Sequence, residues 1–390
     1  MQTMTTVRPF AISISDEMLD DLEQRIQYTR WTRPIKKESD WDHGISIEYL
    51  KELTDYWQHQ YNWREQENEL NGFSHFKVQI DDCRVHFIHH RGKGSHPIPL
   101  LLLHGWPDSF YRFHKIIPML TDSVSFGVGE DISFDVIVPS LPTLGFTECP
   151  QELSQEQPIR HHAELMWRLM TGILGYKHFV IAGGDGGSQL AQLMAIDHPE
   201  SVTAIYLTDL GWQASQVELS TLTRKEQHYL DAGQKSFMKE NAYVLLQTTK
   251  PQTLAFSLTD SPVGLAAWIL DRFHFWSDGD FEKKFSKDEL LTNIMIYWVT
   301  GTIVSSIRGY RLDKKSPSLT AKDYVNVPVG LGLFPKDIGG IPPREFAERT
   351  LNVRHWTEMP RGGHFTAWEE PELMAADLQD FFGELKKTNV

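Results

Sequence analysis

One stretch carries most of the information about how this chain folds, and it reads His178-Phe-Val-Ile-Ala-Gly-Gly-Asp-Gly-Gly-Ser188. Its apolar part, residues 178–182, is typical of a buried strand in a parallel sheet. The glycines predict a tight turn with Asp185 at its tip, and a helical pattern follows from Ser188. Strand, sharp turn and helix are the setting of the G-x-S-x-G nucleophile turn, with aspartate in place of serine. Taken alone, the stretch also fits a glycine-rich loop with a capping aspartate.

Short apolar runs elsewhere in the chain predict further strands. They lie at residues 100–103, 134–138, 202–207, 327–334 and 353–357. Helical patterns separate most of them, and strands that alternate with helices form a parallel sheet covered on both faces. Residues 76–90 alternate apolar and polar side chains, which indicates a strand or hairpin with one solvated face. We therefore expect an α/β protein with a mostly parallel central sheet.

Between about 211 and 320 the sequence has no apolar runs of the kind that predict strands. That stretch has helical patterning and many aromatic side chains. It predicts a helical cap inserted after the sixth strand, over the C-terminal edge of the sheet, where open α/β sheets bind ligands. Two earlier segments, 15–29 and 47–70, also have helical spacing.

Composition excludes several classes of function. The 390 residues include 38 basic and 52 acidic side chains, a formal net charge of −14, which argues against a nucleic-acid partner or an anionic membrane surface. There is no signal peptide and no apolar span of about 20 residues, so the expected location is the cytoplasm. Only Cys83 and Cys149 occur, and we expect both to be buried thiols in a reducing compartment. No metal-type Cys/His spacing is present, and neither a metal nor an organic cofactor is expected.

Three further motifs follow strands. His104-Gly-Trp-Pro107 comes directly after the 100–103 run, Phe334-Pro-Lys-Asp337 after the 327–334 run, and Arg361-Gly-Gly-His364 after the 353–357 run. The carboxyl ends of parallel strands meet at one edge of a sheet, so these motifs are expected to lie near Asp185.

The order nucleophile, acid, histidine along the chain is the order of the α/β-hydrolase fold. Asp185 is then the nucleophile and His364 the general base that activates water. Asp337 would orient His364, with Asp209 as the alternative acid. The backbone N–H groups of Trp106 and Gly186 would form the oxyanion hole.

An aspartate in this turn changes the expected chemistry. A serine nucleophile forms an acyl-enzyme, whereas a carboxylate attacks saturated carbon and becomes an alkyl ester. The expected substrates are therefore epoxides or alkyl halides.

From about Arg8 to Leu385 the chain resembles an epoxide hydrolase of the α/β-hydrolase superfamily, in the branch with the microsomal-type N-terminal region. Arg8-Pro-Phe and Arg30-Trp-Thr-Arg-Pro34 resemble that N-terminal region, and the motifs around Asp185, Asp337 and His364 each match the family. The resemblance implies an N-terminal wrapping region at 1–75, a hydrolase core at 76–210 and 321–390, and a cap at 211–320. It also implies a homodimer, but no membrane anchor is expected here.

The family further implies two cap tyrosines that donate hydrogen bonds to the epoxide oxygen. Tyr243, in Asn241-Ala-Tyr-Val, and Tyr310, in Ser306-Ile-Arg-Gly-Tyr, match them, with Tyr297 as the reserve candidate. A phenol is suited to this role because an alkoxide is a poor leaving group without a proton donor. The expected reaction opens a small apolar epoxide with water to a vicinal diol.

Two other functions compete with this one. A haloalkane or haloacid dehalogenase uses the same Asp–His–Asp set, but it needs N–H donors for halide, often an indole beside the nucleophile, and Gly186 has no side chain there. An inactive hydrolase serving as a ligand receptor would be expected to lack part of the set, and this chain retains all of it.

Overall fold

The computed structural model describes residues 6–33, 41–127, 132–150, 158–210, 218–315, 319–320 and 323–387. Within these ranges nine strands form one sheet in the order β1-β2-β3-β5-β4-β6-β7-β8-β9. The strands are β1 (Arg8–Phe10), β2 (His75–Ile80), β3 (Cys83–His90), β4 (Ile98–Leu103), β5 (Phe134–Pro139), β6 (Phe179–Gly183), β7 (Val202–Leu207), β8 (Val325–Leu333) and β9 (Leu351–Glu358). β1, β2, β3 and β5 pair antiparallel in succession, and β5, β4 and β6 to β9 pair parallel.

The parallel strands are apolar because both faces of the sheet are covered. All four residues from Leu100 to Leu103 are 0% exposed, as are Ile181 and Ala182 on the neighbouring β6. Continuous apolar runs are the pattern expected of such strands. The predicted α/β fold with a mostly parallel sheet is confirmed.

Helices cover the sheet and fill the insertion between β7 and β8. They are α1 (Asp16–Gln27), α2 (Ile47–His59), α3 (Trp63–Leu70), α4 (Ile116–Thr121), α5 (Ser123–Phe126), α6 (Pro158–Arg168), α7 (Gly186–Asp197), α8 (Arg224–Glu240), α9 (Ala242–Thr249), α10 (Pro251–Asp260), α11 (Pro262–Trp276), α12 (Phe281–Lys284), α13 (Lys287–Thr300), α14 (Ile303–Lys315), α15 (Arg344–Ala347), α16 (Thr366–Glu369) and α17 (Pro371–Lys387). The helices α8 to α14 form the cap. A π-helical stretch, Leu169–Ile173, continues α6.

Two local features differ from the sequence-based expectation. The cap follows the strand at 202–207, as predicted, but this is the seventh strand, since Arg8–Phe10 adds a short edge strand paired with β2. The segment 47–70 forms two helices rather than one, and Asn62 begins the second by accepting the N–H of Arg64. Pro34 and residues 211–217 lie outside the described residues, and the domain boundaries stay a prediction.

The two cysteines are joined, so the expectation of two buried thiols is wrong. Cys83 and Cys149 form a disulfide with an S–S distance of 2.09 Å. Their neighbours Arg84 and Glu148 pair as an isolated antiparallel bridge, which brings the loop after β5 beside the start of β3. The sequence gives no sign of this contact because 66 residues separate the cysteines.

Across the described part of the chain, none of the individual helices combines the length and apolar composition that a membrane span requires. Two helix pairs, α10 with α11 and α13 with α14, meet that test only when joined, and they bend by 118° and 85°.

Candidate active site

Asp185 lies at the tip of the turn between β6 and α7. Its φ of +56° and ψ of −127° fall outside the regions that L-residues ordinarily adopt. Such backbone strain is concentrated at functional sites, where the surrounding structure holds it in place. The turn lifts the side chain above the edge of the sheet at the N-terminus of α7, whose dipole favours the carboxylate.

Two glycines allow the turn to pack against the strand beside it. A Cβ on Gly187 would lie 2.2 Å from the carbonyl oxygen of Leu103, and one on Gly105 would lie 2.3 Å from the side chain of Asp185. Real Cβ atoms do not approach so closely. These positions therefore need glycine because β4, its loop and α7 converge on the aspartate.

The two carboxylate oxygens of Asp185 have different partners. Oδ1 accepts hydrogen bonds from the backbone N–H groups of Trp106, at 3.1 Å, and Gly186, at 2.6 Å. Oδ2 lies 3.3 Å from Nε2 of His364. The side chain is 21% exposed, so it is not sealed off from solvent. The structure thus brings together the predicted nucleophile, base and both oxyanion-hole N–H groups.

The loop that carries Trp106 is held by buried polar side chains. Nδ1 of His104 donates to the carbonyl oxygen of Gly105, at 2.9 Å, while Nε2 accepts the N–H of Leu141, at 3.1 Å. Asp108 accepts the N–H of Gly105 at 3.0 Å. Burial lowers the pKa of His104, which is consistent with a neutral ring that has one donor and one acceptor nitrogen.

His364 contacts Asp337 on its other side. Nδ1 donates to Oδ1 of Asp337 at 2.7 Å, and both side chains are buried. The histidine backbone is fixed as well, because its N–H donates to Trp276 and its carbonyl accepts from the guanidinium of Arg112. The arrangement leaves only the Nε2 edge of the ring facing Asp185.

Opposing effects set the pKa of His364. Burial lowers it, but the carboxylates of Asp337 and Asp185 outweigh burial and raise the pKa to about 10. The pKa of Asp185 is lowered, because burial is offset by the contact with His364 and by the N–H groups of Gly186 and Trp106. The resting pair is therefore a carboxylate beside an imidazolium.

Asp209, the alternative acid predicted for orienting His364, does not accept the Nδ1–H of His364. Its Oδ2 accepts the backbone N–H of Asp185 at 2.7 Å. Asp337, not Asp209, accepts from Nδ1 of His364. Asp209 therefore contacts the nucleophile turn itself.

Aromatic rings from the cap lie next to the nucleophile. The ring of Tyr243 stacks on Trp106 at 5.5 Å with an interplanar angle of 6°, and Tyr310 meets the edge of Trp106 at 5.7 Å. The rings of Tyr243 and Tyr310 meet edge to face, with centroids 6.1 Å apart, and burial raises the pKa of Tyr243. Tyr297, the reserve candidate, is 1% exposed and donates to the backbone carbonyl of Asp108, so it belongs to the core.

Three side chains near the site have roles that sequence reasoning missed. Arg112 joins the carbonyl of His364 to Asp108, with distances of 2.6 and 2.7 Å. The ring of Trp276 packs against His364, and the guanidinium of Arg272 lies 5.2 Å from the ring of Tyr243. None of the three belongs to a motif with a chemical signature, and only the packing of α11 on the core brings Arg272 and Trp276 close.

Comparison with known proteins agrees with this geometry. A family model described as "Epoxide hydrolase N terminus" matches residues 7–113, and one described as "alpha/beta hydrolase fold" matches residues 98–325. Over 418 residues the chain is 37% identical to Epoxide hydrolase 1 of Oryctolagus cuniculus, covering 98% of this chain and 90% of the relative. The chain belongs to the epoxide hydrolase family. It is an epoxide hydrolase by activity, and the resemblance stated from the sequence is confirmed.

Solved epoxide hydrolases have the same fold. The crystal structure of juvenile hormone epoxide hydrolase from Bombyx mori matches with a TM-score of 0.90 at 28% identity, covering 99% of this chain and 96% of that one. The structure of Aspergillus niger epoxide hydrolase matches with a TM-score of 0.85 at 28% identity, covering 98% and 97%. The dehalogenase alternative is not favoured by these relatives.

Proposed function

We propose that this epoxide hydrolase works through a covalent ester on Asp185. The observation that supports this mechanism most is that the two carboxylate oxygens have different contacts. Oδ1 is held by two backbone N–H groups, while Oδ2 carries no such bond and lies beside His364. One oxygen is thus free to attack carbon, and the other is placed where an oxyanion can be stabilised.

In the first step, Oδ2 of Asp185 forms a bond to an epoxide carbon as the C–O bond of the ring breaks. The electron pair moves to the epoxide oxygen, which takes a proton from Tyr243 or Tyr310. The two tyrosine rings contact each other and the ring of Trp106, whose backbone N–H donates to Asp185. Without a proton donor the departing alkoxide would be a poor leaving group.

In the second step, water attacks Cγ of Asp185 while Nε2 of His364 takes its proton. Negative charge develops on Oδ1, which the N–H groups of Trp106 and Gly186 already face. Collapse expels the diol oxygen, formerly Oδ2, which is protonated by His364, and the remaining carboxyl proton passes to His364 and restores the imidazolium. Epoxide and water are consumed and a vicinal diol is released.

The pKa of His364 should differ between the two steps of the proposed reaction. With Asp185 charged, the carboxylates of Asp337 and Asp185 together hold the pKa of His364 at about 10. Esterification removes the charge of Asp185, so the pKa of His364 falls. The imidazolium then gives its proton to the tyrosinate left by ring opening, and the neutral ring becomes available as a base. Formation of the ester thereby produces the neutral histidine that its hydrolysis requires.

The substrate side of the site is aromatic, which favours an apolar epoxide. Trp106, Tyr243 and Tyr310 are in mutual contact, with Trp276 beyond Tyr243. The indole N–H of Trp106 is buried without a hydrogen-bond partner among the described residues, so it adds a third donor to this cluster.

The test is to trap the ester. His364→Gln should still form the ester but not hydrolyse it. After incubation with styrene oxide, mass spectrometry should find one epoxide mass added to the peptide that contains Asp185. The matched control is the double variant Asp185→Asn/His364→Gln, which should carry no adduct.

Two results would contradict the proposal. One is a folded His364→Gln protein that forms no adduct with any member of an epoxide panel. The other is release of halide from haloalkanes by the wild type without diol formation from epoxides, which would establish the dehalogenase instead.

A further inference from the structure

A second carboxylate lies beneath the nucleophile turn. Asp209 follows the end of β7, the strand adjacent to β6, and its Oδ2 accepts the N–H of Asp185 at 2.7 Å. This N–H belongs to the residue whose φ is +56°, the most strained point of the turn. This hydrogen bond therefore stabilises the strained backbone conformation of Asp185 directly.

The surroundings of Asp209 are crowded with charged groups. A Cβ placed on Gly184 would lie 2.5 Å from Oγ1 of Thr208, 3.2 Å from Nη2 of Arg112 and 3.6 Å from Oδ2 of Asp209. These three side chains therefore meet under the turn. The titratable groups that interact with Asp209 include Asp337, His364 and Asp185, with Tyr229 from the cap helix α8.

We propose that Asp209 is a positioning residue for the nucleophile, whose anionic carboxylate fixes the backbone of Asp185 and favours the step in which Asp185 becomes an ester. This inference rests on the proposed covalent mechanism. No bond forms to Asp209, and it does not touch the reacting atoms.

Two physical effects support this role. A hydrogen bond from an N–H to a carboxylate is about twice as strong as one to a neutral acceptor, so the charged form holds the turn more firmly. In addition, Asp185 loses its negative charge when it attacks carbon. A neighbouring anion destabilises the charged reactant more than the neutral ester, which favours the attack.

Protonation of Asp209 should therefore slow ester formation. Burial, together with the charge of Asp337, raises the pKa of Asp209 to about 6, whereas the pKa of Asp185 is lowered. The charged form of Asp209 is present above that pKa and is lost as the pH falls through it. An acidic limb near pH 6 thus reports Asp209, since Asp185 itself titrates lower.

The experiment measures the disappearance of styrene oxide in a single turnover, with the full-length enzyme in excess, from pH 5 to pH 8. The wild-type rate should fall as the pH drops through about 6. Asp209→Asn keeps an oxygen that accepts the N–H of Asp185 but removes the charge. It should be about tenfold slower at pH 8, and its rate should not change between pH 5 and pH 8.

Asp231→Asn is the matched control, because it removes the same charge from an exposed position on α8 and should behave as the wild type. A wild-type rate that is flat down to pH 5, or an Asp209→Asn protein that keeps both the rate and the acidic limb, would overturn the inference. The dependence of the wild-type rate on pH tests the inference even if the Asp209→Asn protein does not fold. If no ester forms in the wild type, the proposed mechanism itself fails, which is a distinct result.

Discussion

The two oxygens of Asp185 show how much of this chemistry depends on single contacts. Oδ1 receives two N–H groups, and Oδ2 faces an imidazole whose other nitrogen donates to Asp337. A serine in the same turn would have only one oxygen. In the proposed mechanism the aspartate therefore supplies both the nucleophilic oxygen and the oxyanion from one side chain.

The tyrosine pair gives a prediction for the ring-opening step. Tyr243→Phe or Tyr310→Phe leaves one proton donor, so each should slow single-turnover ester formation by about 10²-fold. The double variant should form almost no ester. Rapid-quench measurement of epoxide disappearance checks both.

Tyr324→Phe is the control for these variants, because Tyr324 is 40% exposed and immediately precedes β8, at the end of the strand opposite Asp185. A double variant that forms the ester at the wild-type rate would rule out a phenol as the proton donor.

Some residues of the site were predictable from the sequence because each lies in a short motif after a strand. Asp185, His364 and Asp337 are of this kind. Asp209 was considered only as an alternative acid, and its contact with the N–H of Asp185 was not foreseen. That contact depends on β7 lying beside β6, which is a property of the sheet rather than of a local pattern.

Among the secondary-structure elements, the longer and regular ones were predictable and the short ones were not. The buried parallel strands have continuous apolar sequences, and this pattern alone indicates a strand covered on both faces. β1 has only three residues, half of an ordinary strand, and its partner β2 lies 65 positions further on. Periodicity cannot detect a strand that short.

The packing of α7 on β4 gives a prediction that separates two adjacent glycines. Gly187→Ala would place a Cβ 2.2 Å from the backbone carbonyl of Leu103, which cannot rotate away. The free energy of unfolding should fall by roughly 1–3 kcal/mol or more. Denaturant unfolding monitored by circular dichroism measures the change.

Gly186→Ala is the matched control, since the nearest atom to its Cβ would be the Cα of Gly105 at 3.9 Å, an ordinary contact. Its unfolding free energy should stay within about 1 kcal/mol of the wild type. Equal destabilisation by the two variants would show that the turn does not pack against β4 as described.

The whole molecule is held together by contacts that cross its regions. Arg25 of α1 pairs with Asp260 of the cap helix α10 at 2.8 Å. Within the N-terminal region, Asn71 donates to the carbonyl of Ile12 and accepts its N–H, both at 2.8 Å. In the cap, Asn293 of α13 donates to the carbonyl of Pro107, the residue after Trp106. The cap therefore contacts both the N-terminal region and the loop that carries Trp106.

The disulfide is a further long-range connection, and a count of free thiols tests it directly. Thiol titration of the unfolded, unreduced protein should find no free thiol, and two after reduction, because Cys83 and Cys149 are bonded. Reduction should lower the free energy of unfolding by about 2–4 kcal/mol. Two free thiols before reduction would contradict the structure and restore the expectation drawn from the sequence.

Ester formation on Asp185 is tested most directly by a single turnover in ¹⁸O-labelled water. Because water attacks Cγ of Asp185, the diol of the first turnover should contain no ¹⁸O, and the peptide with Asp185 should gain 2 mass units, roughly one labelled oxygen. A first-turnover diol that carries ¹⁸O, with an unlabelled Asp185 peptide, would show that water attacks the epoxide itself and would contradict the account.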